Sequence, residues 1–223
     1  MGFNGFGRLG DGSRTNRFVS VLVNTNNASH ESFKRTIIAH VSVGRAHTIA
    51  LGIKGDVYTW GRGGNMQLGF QIPNYNNGLR DHPRIPILLG VPIIQVLATR
   101  ISSFALSANG TIYAWGWNGN GELGQNASFN SGILTPTIVS GILSNKKIVS
   151  IGNSGQHTVV AVDEDGVAYT WGRSISSTNI LTPTIVENPF PRRKFIGATS
   201  GGWNPPFNSF LYEQTTCFGV SVD

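Results

Sequence analysis

Three glycines in GNGELG, residues 119–124, have the GxGxxG spacing with which dinucleotide-binding folds hold a pyrophosphate. That chemistry requires the glycines to end a strand and begin a helix, whose N-terminus faces the phosphates. TIYAW (111–115) predicts a strand, but QNASFNSGILTP (125–136) is typical of a loop and contains no acid for the ribose. A second copy of the spacing, GFGRLG (5–10), follows no strand. We therefore predict no nucleotide site and no cofactor.

Two histidines, His47 and His157, precede the second strand of similar segments and could act as metal ligands or general bases. Because the two histidines lie in different units, they cannot share a metal, so we interpret both as polar residues that tie a loop to the neighbouring strand. The acidic run DEDG (163–166) lacks the spaced oxygen ligands of a calcium loop and predicts a hairpin turn. Since no Ser-His-Asp order, paired-carboxylate context or P-loop stands out, we expect no catalytic residue, no metal site and no enzyme activity.

Basic residues recur just before the first strand of three units, where a ring of repeats would place them on one rim. They are Lys34, Arg35, Lys146, Lys147, Arg192, Arg193 and Lys194. Such a rim could attract phosphate backbones or an acidic protein surface, and ordinary solubilising charge explains the same residues. Trp203 breaks the pattern of the last unit and indicates either an aromatic contact or a decayed terminal repeat.

The composition favours short strands joined by tight turns. The 223 residues include 29 Gly and 10 Pro, and 13% are charged. The net charge of +6 permits anionic partners. The one cysteine, Cys217, excludes an internal disulfide framework and a cysteine-based zinc cluster. No N-terminal apolar stretch resembles a signal peptide and no apolar run is long enough for a membrane span, so we expect an intracellular protein, cytoplasmic or nuclear.

The glycine spacing has its explanation in an internal repeat that aligns on Trp60, Trp115 and Trp171. Each tryptophan is followed by glycine, and two of the segments continue into a WGxNxxGxLG-like loop, DVYTWGRGGNMQLG (56–69) and TIYAWGWNGNGELG (111–124). MGFNGFGRLGDG at the start fits the same frame, with Met1 in the place of the tryptophan. The residues of this structural repeat signature are His47, Trp60, Gly61, Trp115, Gly116, Gly121, Gly124, His157, Trp171 and Gly172.

Each unit predicts four short antiparallel strands, with a hairpin at IKGD, ANGT or DEDG between the second and third. The fourth strands are expected within 82–89, 134–140 and 181–187, in each case after a proline. FVSVLV (18–23) would be the fourth strand of a partial first unit. One such sheet cannot bury both faces alone, so stacking about an axis predicts an all-β propeller. We expect one domain over 1–223, with units at about 1–35, 36–90, 91–145, 146–190 and a degenerate 191–223.

The linked motifs resemble the regulator of chromosome condensation repeat family, which includes a bacterial β-lactamase inhibitor of the same architecture. The resemblance is carried by GRAHTIALGIKGDVYTWGRGGNMQLG, ALSANGTIYAWGWNGNGELGQN and GQHTVVAVDEDGVAYTWG, and it covers residues 1 to about 190. It implies a propeller, usually of seven blades, whereas this chain holds about four units. Three architectures are therefore possible: a small ring latched by its ends, half of a ring closed by a second copy, and a piece of a longer array. We favour an open arc or a homodimer, because an open arc exposes an apolar face and strand edges.

Three functions follow from the resemblance and the repeats. The first is a non-catalytic module that binds a protein partner through loops on one rim or on the axial faces. The resemblance implies a second, guanine-nucleotide exchange for a Ran-like small GTPase with chromatin association, for which no wedge hairpin is identifiable here. The third is an inhibitor-type binder that caps the active site of an enzyme. Fold alone does not choose among them.

Overall fold

The chain is folded into antiparallel β-sheets, each built from consecutive strands, in a computed structural model. The residues that the structure describes are 1–23, 31–71, 79–81, 83, 87, 89–126, 132–154, 157–173, 179–187, 194–198 and 221–222. Within these residues the helices are one short α1 (Glu31–Lys34) and one 3-10 turn (Gly141–Leu143). The expected all-β fold with sheets of four antiparallel strands is confirmed.

Three sheets have four strands each, paired in sequence order. The first contains β1 (Ile38–Val43), β2 (His47–Gly52), β3 (Val57–Arg62) and β4 (Leu79–Arg80). The second contains β5 (Ile93–Ala98), β6 (Ser102–Ser107), β7 (Ile112–Gly116) and β8 (Ile133–Ile138). The third contains β9 (Ile148–Ser154), β10 (Thr158–Asp163), β11 (Ala168–Gly172) and β12 (Ile180–Ile185). A two-stranded pair, β13 (Lys194–Phe195) and β14 (Ser221–Val222), follows.

In each of the three four-stranded sheets, the turn between the second and third strands contains a glycine in the left-handed region. Gly55, Gly110 and Gly166 have φ of 90°, 88° and 80°, which an L side chain rarely adopts. A Cβ at Gly110 would also lie 2.6 Å from the Cα of Lys147, at the entry to the next sheet. These glycines therefore make the hairpins that the sequence predicts and let the next sheet approach closely.

The core lies between successive sheets, because the facing sides of neighbouring sheets pack on each other. Strands β2 and β6 are buried at every position, so their sequences HTIALG and SSFALS contain no Asp, Glu, Lys or Arg and do not alternate apolar with charged residues. One cluster joins the first two sheets around Ile49, Val96 and Trp115. Another joins the second and third sheets, around Phe104 and Trp171. The tryptophans of the repeat thus fill the wedges between sheets.

The strand expected at 18–23 is wrong. Residues 18–23 form no strand, and Phe18 and Leu22 are 93% and 91% exposed. The only described pairing of this N-terminal segment is the bridge between Arg17 and Gly2. It is equivalent to the pair Ile133–Gly116, with which the fourth strand of the second sheet begins. A fourth strand needs a third strand beside it, and among the described residues this segment has only that single bridge.

In the part of the chain that the structure describes, the sheets form an open series rather than the small latched ring. Among the described residues, no strand of the N-terminal segment joins the β13–β14 pair. In the first sheet, β4 ends at Arg80 and Ile87 then bridges Val57, inside the expected strand 82–89, most of which lies outside the described residues. The strand expected near 210–212 and the Phe218–Gly219 pair also lie outside them.

Candidate interaction surface

A repeated hydrogen bond fixes each tryptophan against a loop of the preceding unit. The indole nitrogens of Trp60, Trp115 and Trp171 donate to the backbone carbonyls of Arg8, Gln67 and Glu122, at 2.9, 3.0 and 2.8 Å. Gly61, Gly116 and Gly172 follow with φ of 102°, 104° and 101°. Each tryptophan bonds a backbone carbonyl at the same position of the preceding loop, and the glycine angles agree within 3°, so the three tryptophan-glycine pairs have equivalent settings.

The GxGxxG of residues 119–124 belongs to this packing. Gly121 and Gly124 have φ of 75° and 66°, and the Asn118 side chain accepts from the backbone N–H of Leu123 at 2.9 Å. Leu123 lies in a turn, so no helix N-terminus follows the glycines. The loop lies against Trp171 of the third sheet, which a Cβ on Gly124 would approach to 3.1 Å.

His47 is a buried link between the first and second sheets. Its Nε2 lies 2.9 Å from the Ser103 hydroxyl, which donates to the carbonyl of Gln67 at 2.8 Å. Burial lowers the pKa of His47 to about 4, against a smaller opposing effect of a hydrogen bond from the ring to the backbone of Ser102. The ring is therefore neutral at physiological pH and joins the first sheet to the second through Ser103.

His157 does not occupy the place of His47, as the sequence suggested, but that of Ala46. The N–H of Arg62 donates to the carbonyl of Ala46, and the N–H of Arg173 donates to that of His157. The third unit has one more residue between its histidine and its tryptophan, so the two rings point to different partners. Among the described residues, no three His, Cys, Asp or Glu side chains could hold a metal ion.

The His157 ring bridges a buried carboxylate and an arginine. Its Nδ1 lies 2.6 Å from Oε1 of Glu122, and its Nε2 lies 3.2 Å from Nη1 of Arg100. Because a guanidinium only donates, Nε2 accepts and Nδ1–H donates to the carboxylate. Burial raises the pKa of Glu122, but hydrogen bonds from His157 and Asn120 outweigh it and leave the pKa below its ordinary value.

The basic residues expected on one rim are partly paired with acids of the DEDG turn. Lys146 lies 3.4 Å from Asp163, and Lys147 lies 2.9 Å from Glu164. Lys147 and Lys194 occupy equivalent positions, against the hairpin glycines Gly110 and Gly166 of the preceding sheets. The equivalent position beside Gly55 is held by Pro92, which carries no charge. Lys34 and Arg35 come at the end of α1. Arg192, Arg193 and Trp203 lie outside the described residues.

A second basic surface, which sequence reasoning missed, lies at the opposite end of the strands. We call this end the turn face: it carries the β1–β2 and β5–β6 turns (44–46 and 99–101) and the loops after β3 and β7. Arg45 and Arg100 stand in those two turns, and Arg173 follows the tryptophan-glycine pair of the third sheet. The sequence does contain a repeated signal: an arginine stands shortly before the second strand, and another directly follows Trp-Gly. These arginines are isolated in sequence, so they do not form the basic pairs or triplets by which a charged surface is recognised.

These three residues, the arginine cluster, have no ion-pair partner among the described acids. Burial, and then the charges of Arg45 and Arg173, lower the pKa of Arg100. Burial and Arg45 likewise lower the pKa of Arg8, whose guanidinium donates to the carbonyl of Arg45. Arg45 and Arg173 are exposed. The turn face therefore presents clustered positive charge to solvent.

The repeat pattern decides the family. The sequence profile of the regulator of chromosome condensation (RCC1) repeat matches residues 54–106 and 109–161, and a second form of the repeat matches 38–67. The chain belongs to the RCC1 repeat family. Its repeats are 33% identical over 144 residues to human "Probable E3 ubiquitin-protein ligase HERC3", covering 64% of this chain and 13% of the ligase. They are 33% identical over 137 residues to "RCC1 domain-containing protein RUG3, mitochondrial" of Arabidopsis thaliana, covering 61% and 29%.

Solved structures show the same fold. Human WBSCR16 superposes with a TM-score of 0.66 at 22% identity, over 75% of this chain and 43% of that chain. The structure of Kap60 bound to yeast RCC1 (Prp20) gives a TM-score of 0.60 at 23% identity, over 74% of this chain and 40% of that chain. This chain thus spans only part of each RCC1 relative that it matches. None of these matches supports the expected homodimer, and no helix among the described residues could cross a membrane.

Proposed function

We propose that this RCC1 repeat chain is a non-catalytic protein-interaction module that binds its partner through the turn face. The observation that carries the proposal is that three successive sheets each bring an arginine to that face, held by turns whose backbone is fixed. Repeat proteins generally bind through surfaces that neighbouring repeats build together. The yeast relative that shares this fold was solved bound to another protein, Kap60.

The opposite face has fewer features that suit a partner. Its lysines Lys146 and Lys147 are already paired with acids of the same sheet, and Asp163 is buried beneath them. Charges paired within the fold contribute little further attraction to a partner. The turn face carries positive charge that the described residues leave unneutralised.

Hydrogen exchange with a captured partner tests the proposal. The full chain is immobilised, proteins of the native cell are captured at physiological salt, and the retained protein is purified and added back. We expect slowed exchange in residues 44–46, 99–101 and 117–124. Slowed exchange confined to the opposite turns at 53–56, 108–111 and 164–167, or no retained protein, would overturn the proposal.

Two finer functions stay predictions: guanine-nucleotide exchange on a Ran-like GTPase with chromatin association, and inhibition of an enzyme by capping its active site. Exchange is tested by the release of labelled GDP from a Ran-type GTPase with and without the chain. The ligase activity of the HERC3 relative is not carried over, because the match covers 13% of that protein and consists of repeats. Localisation in the cytoplasm or nucleus also stays a prediction.

A further inference from the structure

We propose that Arg45, Arg100 and Arg173 together form a binding site for a carboxylate-rich segment of the partner protein. The inference rests on the proposed function and adds the chemistry of the partner. Guanidinium groups bind carboxylates through two parallel N–H···O bonds, which makes arginine suited to acidic side chains.

Backbone contacts join the three arginines into one site. The N–H of Arg45 donates to the carbonyl of Arg100 at 3.1 Å, so the turns of the first two sheets touch. The N–H of Arg173 donates to the carbonyl of His157 at 3.1 Å, and the ring of the same histidine accepts from Arg100. Contacts between three sheets therefore fix the spacing of the arginines before any partner arrives, which lowers the entropy lost on binding.

Arg100 is further positioned by a buried acid that does not neutralise the surface. Glu122 is fully buried, and its carboxylate accepts from the His157 ring at 2.6 Å and from both nitrogens of Asn120 at 2.8 Å. The His157 ring contacts both Glu122 and Arg100, so it stands between this carboxylate and the guanidinium. His157 is therefore a positioning residue, which holds Arg100 without competing for the ligand.

A protein segment fits this site better than a nucleic acid does. Proteins that bind duplexes through phosphates commonly neutralise about six to ten of them along a track. The arginine cluster is compact, and all five lysines of the chain lie at the other end of the strands or next to it in sequence. The described turn-face segments 44–46, 99–101 and 117–124 contain no lysine, and the two further arginines Arg8 and Arg62 both contact the 44–46 turn, so they widen the cluster at Arg45 rather than extend a track.

Fluorescence anisotropy with a labelled ten-residue Asp/Glu peptide tests the site on the full chain. We expect saturable binding that weakens with added salt and falls about tenfold in each of Arg45→Gln and Arg173→Gln. Lys54→Gln removes the same charge from the opposite face and is expected to change binding less than twofold. Thermal unfolding of each variant establishes that it is folded.

His157 supplies a second arm. His157→Gln keeps an acceptor for Arg100 and is expected to retain binding, whereas His157→Leu loses it about as much as Arg100→Gln does. Absent peptide binding, or equal losses in Arg45→Gln and Lys54→Gln, would overturn the inference. So would a labelled single-stranded oligonucleotide of equal charge that binds more tightly with the same arginine dependence. A partner that slows hydrogen exchange at the turn face but binds Arg45→Gln and Arg173→Gln as tightly as the unaltered chain would support the proposed function. The same result would refute this inference.

Discussion

The indole Nε1 of Trp115 donates a 3.0 Å hydrogen bond to the backbone carbonyl of Gln67, which lies 48 positions earlier in the preceding unit. The same carbonyl accepts from the Ser103 hydroxyl at 2.8 Å. One carbonyl of each loop is thus the point at which the next sheet attaches. Stability in such an array depends on contacts between neighbours, so these points are where it can be measured.

The tryptophan hydrogen bond is expected to matter more in the third sheet than in the second. In Trp115→Phe, the carbonyl of Gln67 keeps the Ser103 hydroxyl, whereas Val159 holds the equivalent place beside Trp171 and cannot donate. Trp171→Phe therefore leaves the buried carbonyl of Glu122 without a donor. We expect urea unfolding to show a loss of about 3 kcal/mol for Trp171→Phe and about 2 kcal/mol for Trp115→Phe. Equal losses would contradict the role assigned to Ser103.

A methionine occupies a left-handed position that glycine fills in the equivalent loops. Met66 has φ of 66°, against 73° for Gly7 and 75° for Gly121. Left-handed backbone costs a non-glycine residue roughly 1 kcal/mol. Met66→Gly relieves this cost but increases the conformational entropy of the unfolded chain, which offsets part of the gain. We expect the free energy of unfolding to rise by about 0.5 kcal/mol. The measurement is the shift in the urea midpoint.

Gly121→Ala is the matched control for that substitution, with the opposite sign. A Cβ at this position would lie 2.9 Å from the Cα of Leu181, so the added methyl meets both strain and backbone. We expect a loss of more than 1 kcal/mol. If Met66→Gly destabilised as well, side-chain packing of Met66 would outweigh its backbone strain.

The repeat could be predicted from sequence because the period places identical residue types at identical angles. Trp60, Trp115 and Trp171 pair across their hairpins with Thr48, Ser103 and Val159 at matched register. Strands whose partners are local in sequence follow from pattern and turn chemistry alone. The division of the chain into numbered units stays a prediction.

The turn face could not be predicted, because its residues are brought together by contacts between sheets. Arg45 and Arg100 are 55 residues apart, and nothing local shows that one turn donates to the other. The one-residue offset of His157 has a similar origin, since pairing with the following strand, not alignment of letters, sets the register. At the opposite end, Lys146 and Lys147 looked like a free basic pair until the fold placed acids beside them.

Acid is expected to destabilise the protein through His47. Burial lowers the pKa of this residue from 6.5 to about 4. Between these two pH values the histidine is protonated in the unfolded chain and neutral in the folded chain. Stability is therefore complete above pH 6.5 and falls as the pH drops towards 4, by about 3 kcal/mol in all. Urea unfolding from pH 7 to 4.5 measures most of this loss. His47→Gln keeps a polar group near Ser103 and is expected to flatten the profile; an unchanged slope would exclude His47 as the cause.

Asp163 is expected to stabilise the third sheet rather than to bind a ligand. It is buried, accepts the Tyr169 hydroxyl at 2.8 Å and the N–H of Val167 at 2.8 Å, and lies 3.4 Å from Lys146. Burial and then the hydrogen bond to Asp163 raise the pKa of Tyr169. We expect Asp163→Asn to cost about 2 to 3 kcal/mol in thermal unfolding and to lower the pKa of Tyr169 in an ultraviolet titration. Asp165→Asn, in the same turn but exposed, is expected to cost less than about 0.5 kcal/mol. A similar cost for both variants would show that surface charge, not the buried hydrogen bonds, stabilises this hairpin.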